Sequence, residues 1–509
     1  MTTTLHDLAE MLEEHQITVK TSPEILSESI ISGCSSDSRF TRAQDIFACK
    51  GRRFKPSYLE DALEKGAVAY LCSPEASRQL EEAFPGTPHL VVERLRPAMA
   101  YVSAQAFGWP NHHMECIGIT GTKGKSSTSY MLRSIVDTWF ALNGQPAKAA
   151  IIGSIETYDG IECMESTNTT PEAPDLWRHL ANAADSNTSP CIMEISSQAL
   201  KYDRVLGLPF DICCFLNIGK DHISPIEHPD FEDYFSSKLK IFSQSKRAVV
   251  NLDSGHIHEI LEAAQVCQQV FTCSSEGKDA DFKATHISSH RGKVRFLCHT
   301  PEASFPVSLA MPGLFNVDNA LAAIAMAQML GIGQDAIQQG LAAAKVPGRM
   351  ELIESPDSRM TGLVDYAHNQ LSYEKFFQSA VQEFPGSKII VVMSAPGDKA
   401  FERRKELPRE AARWAEHMIY TEEDPAHESV EAICQEMAEH TPSDASFEII
   451  CNRPEAIFRA VQLAYEQEQP TLICVLAKGD ETLQHRGDVF EPMEPDGQVL
   501  RRAFQQYCQ

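Results

Sequence analysis

The chain runs to 509 residues, carries a formal charge of −25 and is 43% hydrophobic. A nucleic-acid partner is excluded because no basic stretch is available to displace its counterions, and membrane insertion because no apolar run approaches the ~20 residues of a span. The fifteen cysteines show no C-x-x-C pair and the N-terminus, MTTTLHDLAEMLEEHQ, is polar and acidic, so the chain reads as a cytoplasmic protein with reduced thiols and no signal peptide.

The length predicts about three α/β domains. Residues 1–111 alternate strand-like runs (45–49, 68–72, 90–92) with helical stretches (57–65, 75–84), the pattern of a small α/β domain. Asp37-Ser38-Arg39 and the basic run Lys50-Gly51-Arg52-Arg53 lie in its loops. Such a run suits a diphosphate, and on composition alone it suits a solvated loop equally well.

Residues 112–346 form the second unit. An apolar run, 116–119, breaks into Gly121-Thr122-Lys123-Gly124-Lys125-Ser126-Ser127, and apolar residues then recur at Met131, Ile135 and Trp139 with helical spacing. Strand, glycine loop and helix together make a phosphate-binding loop, in which curled backbone N–H groups and the helix N-terminus face phosphate oxygens. Lys125 would reach the outer phosphates and Ser126 would offer its hydroxyl to magnesium. The loop is shorter than the long form of the motif, with Thr120 four residues before Gly124, but the reading is ATP binding rather than an ordinary glycine turn. Two further strands, 191–195 and 212–218, end in Glu194-Ile195-Ser196 and in Asp221-His222. Ligands gather at the carboxyl ends of parallel strands, and Glu194 and His222 suit a magnesium ion that already carries phosphate oxygens. Residues 280–310 read as short strands, and 316–330 as an apolar, structural helix.

Val346-Pro347-Gly348-Arg349 interrupts the helical pattern and is the candidate hinge. Beyond it strands 363–365, 388–393, 418–421 and 471–476 alternate with helices at βαβ spacing. The third domain is therefore Rossmann-like, yet without G-x-G-x-x-G it carries no dinucleotide signal.

These motifs together resemble the Mur ligases, and among them the E-type UDP-N-acetylmuramoyl-tripeptide synthetases. The carriers are Asp37-Ser38-Arg39, the loop at 121–127, Asn168-Thr169-Thr170-Pro171-Glu172, Glu194-Ile195-Ser196-Ser197 and Arg204. They continue through Asn217 to His222, the run ending in Lys238, Gly313 to Asn319, Pro347 to Met350, Asp365-Tyr366-Ala367-His368 and Lys478-Gly479. The stretch Ile223 to Pro229 looks like that of members that add L-lysine. Gln198 stands where many members have His, and Ala400-Phe401 replaces a glycine-containing loop.

The resemblance implies ATP-driven amide ligation. The γ-phosphate passes to a carboxylate of UDP-N-acetylmuramoyl-L-Ala-D-Glu, and the amine of L-lysine attacks the acyl phosphate. Lys125, Glu194, His222 and Lys238 would be catalytic, with Ser126, Glu194, His222 and a carbamate on Lys238 holding Mg2+. A free ammonium cannot ligate a cation, so that last role needs a neutral lysine that has taken up CO2. Ser38, Asn168, Thr169, Thr170, Ser196 and Arg204 would hold the UDP-sugar peptide, Arg204 through its bidentate fork. Asn316, Arg349, Asp365, Tyr366 and His368 would border adenine and ribose. Four residues, Glu423-Asp424-Pro425-Ala426, stand where diaminopimelate-using members carry Asp-Asn-Pro-Arg. Ala426 cannot pair with a second carboxylate, whereas Glu423 and Asp424 attract a side-chain ammonium. Arg403 or Arg404 would take the α-carboxylate, with Glu481 near the amine. L-Ornithine is the closest competitor to L-lysine. A folylpolyglutamate synthetase and a non-catalytic scaffold are the alternatives, opposed respectively by the Asp37-Ser38-Arg39 domain and by the intact Lys125, Glu194, His222 and Lys238. The expected state is a monomer with domains at 1–111, 112–346 and 347–509.

Overall fold

The computed structural model describes residues 3–20, 29–51, 54–146, 148–166, 168–221, 223–224, 227–290, 292–467 and 469–508. It forms two compact units, Met1–Ser274 with Lys278–Asp281 and Ala322–Ile332, and Ser275–Gly277 with Phe282–Leu321 and Gly333–Gln509. The fold is α/β throughout. Among the described residues no helix is long and apolar enough to cross a membrane.

The first unit holds two sheets. The smaller runs Val19–Lys20, His89–Val92, Ala69–Cys72, Asp45–Ala48, Gly33–Ser35, parallel except at its first strand. Its strands are buried on both faces, which is why they read as unbroken apolar runs and not as alternation. Helices Pro56–Glu64 and Pro74–Ala83 pack here, each opening on a proline whose fixed φ suits a first turn.

In the larger sheet, Cys116–Thr120 lies between Cys191–Glu194 and Phe210–Phe215, all three parallel. Ala150–Ile152 flanks one side, and Ser245–Asn251 and Gln269–Ser274 the other. Ile119 is paired with Glu194, and Thr120 with Phe215, so the glycine loop and Glu194 leave the sheet at one end. Close approach of Phe210 explains Gly118, where a Cβ would meet the ring at 2.9 Å. The helix after the loop, Lys125–Leu142, buries Met131, Leu132, Ile135, Val136 and Phe140. Trp139 is only half-buried, so the core stripe is centred one residue away from the sequence reading.

The second unit contains an antiparallel meander, Phe282–His290, Lys293–His299 and Ser304–Leu309. A six-stranded sheet follows in the order Glu351–Glu354, Met360–Asp365, Thr471–Leu476, Lys388–Met393, His417–Tyr420, Phe447–Ile449. It is parallel after its first strand. Helices Gln370–Glu383, Arg403–Ala411 and Val430–Glu439 cover one face, and Arg453–Tyr465 and Asp496–Tyr507 the other, giving two separate cores. This is the doubly wound arrangement that βαβ spacing implied.

One buried ion pair anchors the ends of its strands. Arg453 grips Asp496 through two contacts of 2.7 Å, and the two side chains are 2% and 1% exposed. The same guanidinium donates to the carbonyls of Leu476 at 2.8 Å and Glu422 at 3.1 Å, just where two parallel strands run out. Asp496→Asn should therefore leave a buried, uncompensated guanidinium and cost about 3–5 kcal/mol in urea unfolding. A loss below ~1 kcal/mol would show that the pair carries no such weight.

Candidate functional site at the strand ends

Gly121 and Gly124 have φ of 157° and 88°, and Gly124 caps the helix in the left-handed region that other residues avoid. The Lys125 ammonium folds back to donate to Gly121 O at 2.9 Å and Thr122 O at 3.4 Å. The loop is clamped from the neighbouring strand end. Asn217 accepts from the N–H of Lys123 at 2.9 Å and donates to its carbonyl at 3.0 Å, while Thr122 N–H donates to Asn217 O at 3.0 Å. Lys123 also pairs with Asp221 at 3.3 Å. Ser127 is buried in the first helical turn.

Glu194 is fully buried, and its carboxylate accepts from Ser126 Oγ at 3.0 Å and from Ser154 N–H and Oγ at 3.0–3.2 Å. Gly153 makes this possible, since a Cβ there would sit 2.3 Å from Glu194 Oε1. A buried carboxylate beside two hydroxyls is a hard-oxygen donor set of the kind magnesium takes. Ser154 escaped the sequence reading because the motif ends a three-residue strand with no periodic signal.

Lys238, only 2% exposed in helix Phe231–Leu239, donates to the same Gly121 carbonyl at 3.0 Å and lies 5.0 Å from the Tyr234 ring centre. Burial and the Lys125 charge hold its pKa well below the usual lysine value, against a weaker pull from Asp221. Tyr234 in turn holds Thr122 Oγ1 at 3.0 Å. His222, and residues 225 and 226 of the stretch Ile223 to Pro229, lie outside the described residues.

Thr170 joins the expected sugar-peptide residues to Glu194. Its hydroxyl donates to Glu194 O at 2.8 Å and accepts from Ser196 N–H at 3.0 Å. Ser196 Oγ caps the short helix Ser197–Lys201, and Asn168 is exposed beside a half-buried Thr169. Arg204 donates to Thr170 O at 3.0 Å, and its Nε stands 2.9 Å from Glu172, so its fork is partly engaged within the protein. Ser38 is buried, with its carbonyl accepting from Lys65 at 2.8 Å. A cavity of 230 Å³ opens beside it, lined by Ser36, Asp37, Phe40, Arg42 and Arg178 among others. Asp159, Glu162 and His179 also cluster, but Asp159 already accepts from His179, Asn182 and two backbone N–H groups.

In the second unit the expected nucleotide residues turn inward. Asp365 accepts from the N–H groups of Met350 at 2.7 Å and Ala367 at 2.8 Å, and His368 Nδ1 meets Tyr366 O at 2.7 Å. Arg349 stacks over Tyr366 at 4.5 Å. Asn316 is fully buried, donating to Pro312 O and accepting from Asn319.

The amino-acid residues separate into two groups. Arg404 is locked by Glu428 and Glu436, each at 2.7 Å, and by Pro396 O. Arg403 makes no ion pair among the described residues, so of the two it is the one left for an incoming carboxylate. Asp424 and Glu481 both pair with Lys478, which is 1% exposed and also donates to Leu483 O at 2.9 Å. A protein ammonium thus already sits between two of the carboxylates expected to draw a substrate ammonium. Glu423 has no such partner among the described residues: it is buried, Ser394 Oγ reaches it at 3.4 Å, and burial raises its pKa against the pull of Arg403. Gly397 packs against this loop, where a Cβ would collide with Pro425 O. Ala426 takes φ of 48° and bridges to Arg486, which pairs with Glu422.

Residues 119–327 match the Mur ligase middle domain, and residues 348–479 the Mur ligase glutamate ligase domain. The UDP-N-acetylmuramoyl-L-alanyl-D-glutamate--L-lysine ligase of Enterococcus faecalis is 34% identical over 490 residues, 94% of this chain and 93% of that one. The UDP-N-acetylmuramyl-tripeptide synthetase of Bifidobacterium longum is 34% identical over 534 residues, 99% and 100% of the two chains. Among solved structures, a UDP-N-acetylmuramoyl-L-alanyl-D-glutamate--2,6-diaminopimelate ligase shares the fold, with a TM-score of 0.67, 22% identity and full coverage of both chains. Motif, fold and full-length similarity agree, and the chain belongs to the Mur ligase family.

Proposed function

We propose that this chain is an ATP-dependent ligase that adds L-lysine to UDP-N-acetylmuramoyl-L-alanyl-D-glutamate, a step of peptidoglycan precursor synthesis, as a cytoplasmic monomer. The observation that carries the reading is the convergence of the glycine loop, Glu194 and Lys238 at one end of one sheet. In this reading residues 1–111 take the UDP-sugar, 112–346 ATP and 347–509 the amino acid.

An amide cannot form from a free carboxylate without activation. ATP's γ-phosphoryl group passes to the substrate carboxylate, the lysine amine attacks the acyl carbon, and phosphate leaves with the C–O bond electrons. Phosphoryl transfer needs little covalent help from protein, so positioning and charge carry the catalysis. Lys125, released from its loop carbonyls, reaches the phosphates. Ser126, Glu194, His222 and Lys238 are the proposed magnesium holders, and bound magnesium would neutralise phosphoryl oxygens.

Lys238 joins that set as a carbamate: its neutral amine forms an N–C bond to CO2 and loses a proton, turning a cation into a carboxylate-like anion. The depressed pKa favours the required neutral amine. Lys238→Ala should lose nearly all ligation, with partial recovery on adding formate or acetate. Full activity without any additive would remove Lys238 from the site.

Specificity rests on Ala426 and Glu423. Ala426 offers a second substrate carboxylate no partner, and Glu423 offers an ammonium a buried carboxylate without an ion pair. Losing a buried charge partner costs on the order of 2–5 kcal/mol, so L-lysine should exceed meso-diaminopimelate by more than about tenfold in kcat/KM. L-Ornithine, one methylene shorter, should trail by ~1–3 kcal/mol. The measurement is ligation with the three amino acids side by side. Preference for meso-diaminopimelate would overturn the reading of these two residues.

A further inference from the structure

Glu172, which caps helix Ala173–Asp185, gathers three cations from separate stretches of the chain. Lys50, just past strand Asp45–Ala48, stands 2.9 Å from its carboxylate; Arg204 Nε is at 2.9 Å, and Arg96, in helix Leu95–Ala106, at 3.6 Å. The Glu172 side chain is 15% exposed, those of Lys50 and Arg204 are 21% and 12% exposed. Asp175 and Asp203 feel these cations, yet neither comes within ion-pair distance of them among the described residues. At contact distance one carboxylate therefore faces three positive charges, and such partly buried cations are costly unless an anion compensates them. Donor capacity is also left over. Arg204 Nε, though buried, makes no aligned hydrogen bond, and Arg96 is held only by a 3.5 Å contact to Tyr202 O and by the Tyr202 ring at 4.7 Å.

The position of the cluster says which anion it meets. Arg204 donates to Thr170 O, Thr170 Oγ1 donates to Glu194 O, and Glu194 accepts from Ser126 of the phosphate loop. The cluster is thus a short bonded path from the phosphate-binding end. On the function proposed above, the D-glutamyl end of the substrate carries two carboxylates, of which only one is to be phosphorylated. Fixing the other in place decides which one reaches the phosphoryl group.

We infer that Lys50, Arg96 and Arg204 form an oxyanion subsite for the non-reacting carboxylate of the substrate's D-glutamyl end, with Glu172 as the residue that positions them. An isolated structural ion-pair network would hold the fold together without distinguishing substrates, and this separates the two accounts.

The test compares binding of UDP-N-acetylmuramoyl-L-alanyl-D-glutamate with binding of the same compound amidated at the non-reacting carboxylate, by calorimetry on the full chain. The wild type should prefer the dicarboxylate by about tenfold or more, as expected for a charge-paired carboxylate. Arg96→Ala should erase most of that preference, weakening the dicarboxylate by about tenfold and the amide by less than about twofold. Glu172→Gln should do the same while raising KM for the UDP-sugar and leaving KM for ATP unchanged, and Glu172→Asp should restore part of the preference. Should Glu172→Gln not fold, Arg96→Ala decides alone, because Arg96 is the most exposed member, at 39%. Equal losses for both ligands, or none, would overturn the subsite. A wild type that binds neither ligand would overturn the proposed function itself.

Discussion

The Gly121 carbonyl accepts from two lysine ammonium groups, Lys125 at 2.9 Å and Lys238 at 3.0 Å. Two like charges on one oxygen are a poor arrangement in a buried place, and the conflict is what sets the chemistry of the site. Lys125 has a second carbonyl on Thr122 and lies at a loop that phosphate is built to enter. Lys238 is buried and has the aromatic face of Tyr234 beside it, so it gives way by losing its proton. A lysine made neutral in this manner is a nucleophile, and the proposed carbamate follows from that electrostatic conflict as well as from family resemblance. The surrounding packing keeps both side chains there: Asn217 and Thr122 clamp the loop, and Tyr234 ties Thr122 to the helix that carries Lys238.

Much of this was legible in the sequence where chemistry and local structure coincide. Gly121 to Ser126 declare their loop because glycine conformations, a lysine and a helix start fall within six residues. The strands 191–194 and 210–215 were visible as buried apolar runs, and Glu194 was placed at a strand end by that alone. The two faces of the C-terminal sheet followed from βαβ spacing. What stayed hidden was tertiary. Ser154 follows the three-residue strand Ala150–Ile152 at a distance of 40 positions from the Glu194 it holds. Nothing local marks such a pairing.

The amino-acid loop teaches the same lesson about charge. Read along the chain, Glu422, Glu423 and Asp424 are an acidic run, and their attraction for an ammonium seems shared. In three dimensions Arg486 takes Glu422, and Lys478 takes Asp424 together with Glu481, leaving Glu423 as the carboxylate without an ion pair among the described residues. Arg403 and Arg404 are neighbours with opposite fates for a similar reason: one points to Glu428 and Glu436, the other to none. A count of charges in a motif overstates the field that a ligand meets, because a protein's own counter-ions come from residues 50–60 positions away.

The account's central claim is that the phosphate loop serves to activate a carboxylate, and does not simply hydrolyse ATP. Substrate labelled with 18O in its reacting carboxylate tests this most directly, with the released phosphate analysed by mass spectrometry during turnover with ATP and L-lysine. Acyl phosphate formation transfers one carboxylate oxygen to each phosphate, so the label should appear in the phosphate in step with amide product. Unlabelled phosphate accompanying amide formation would contradict the mechanism.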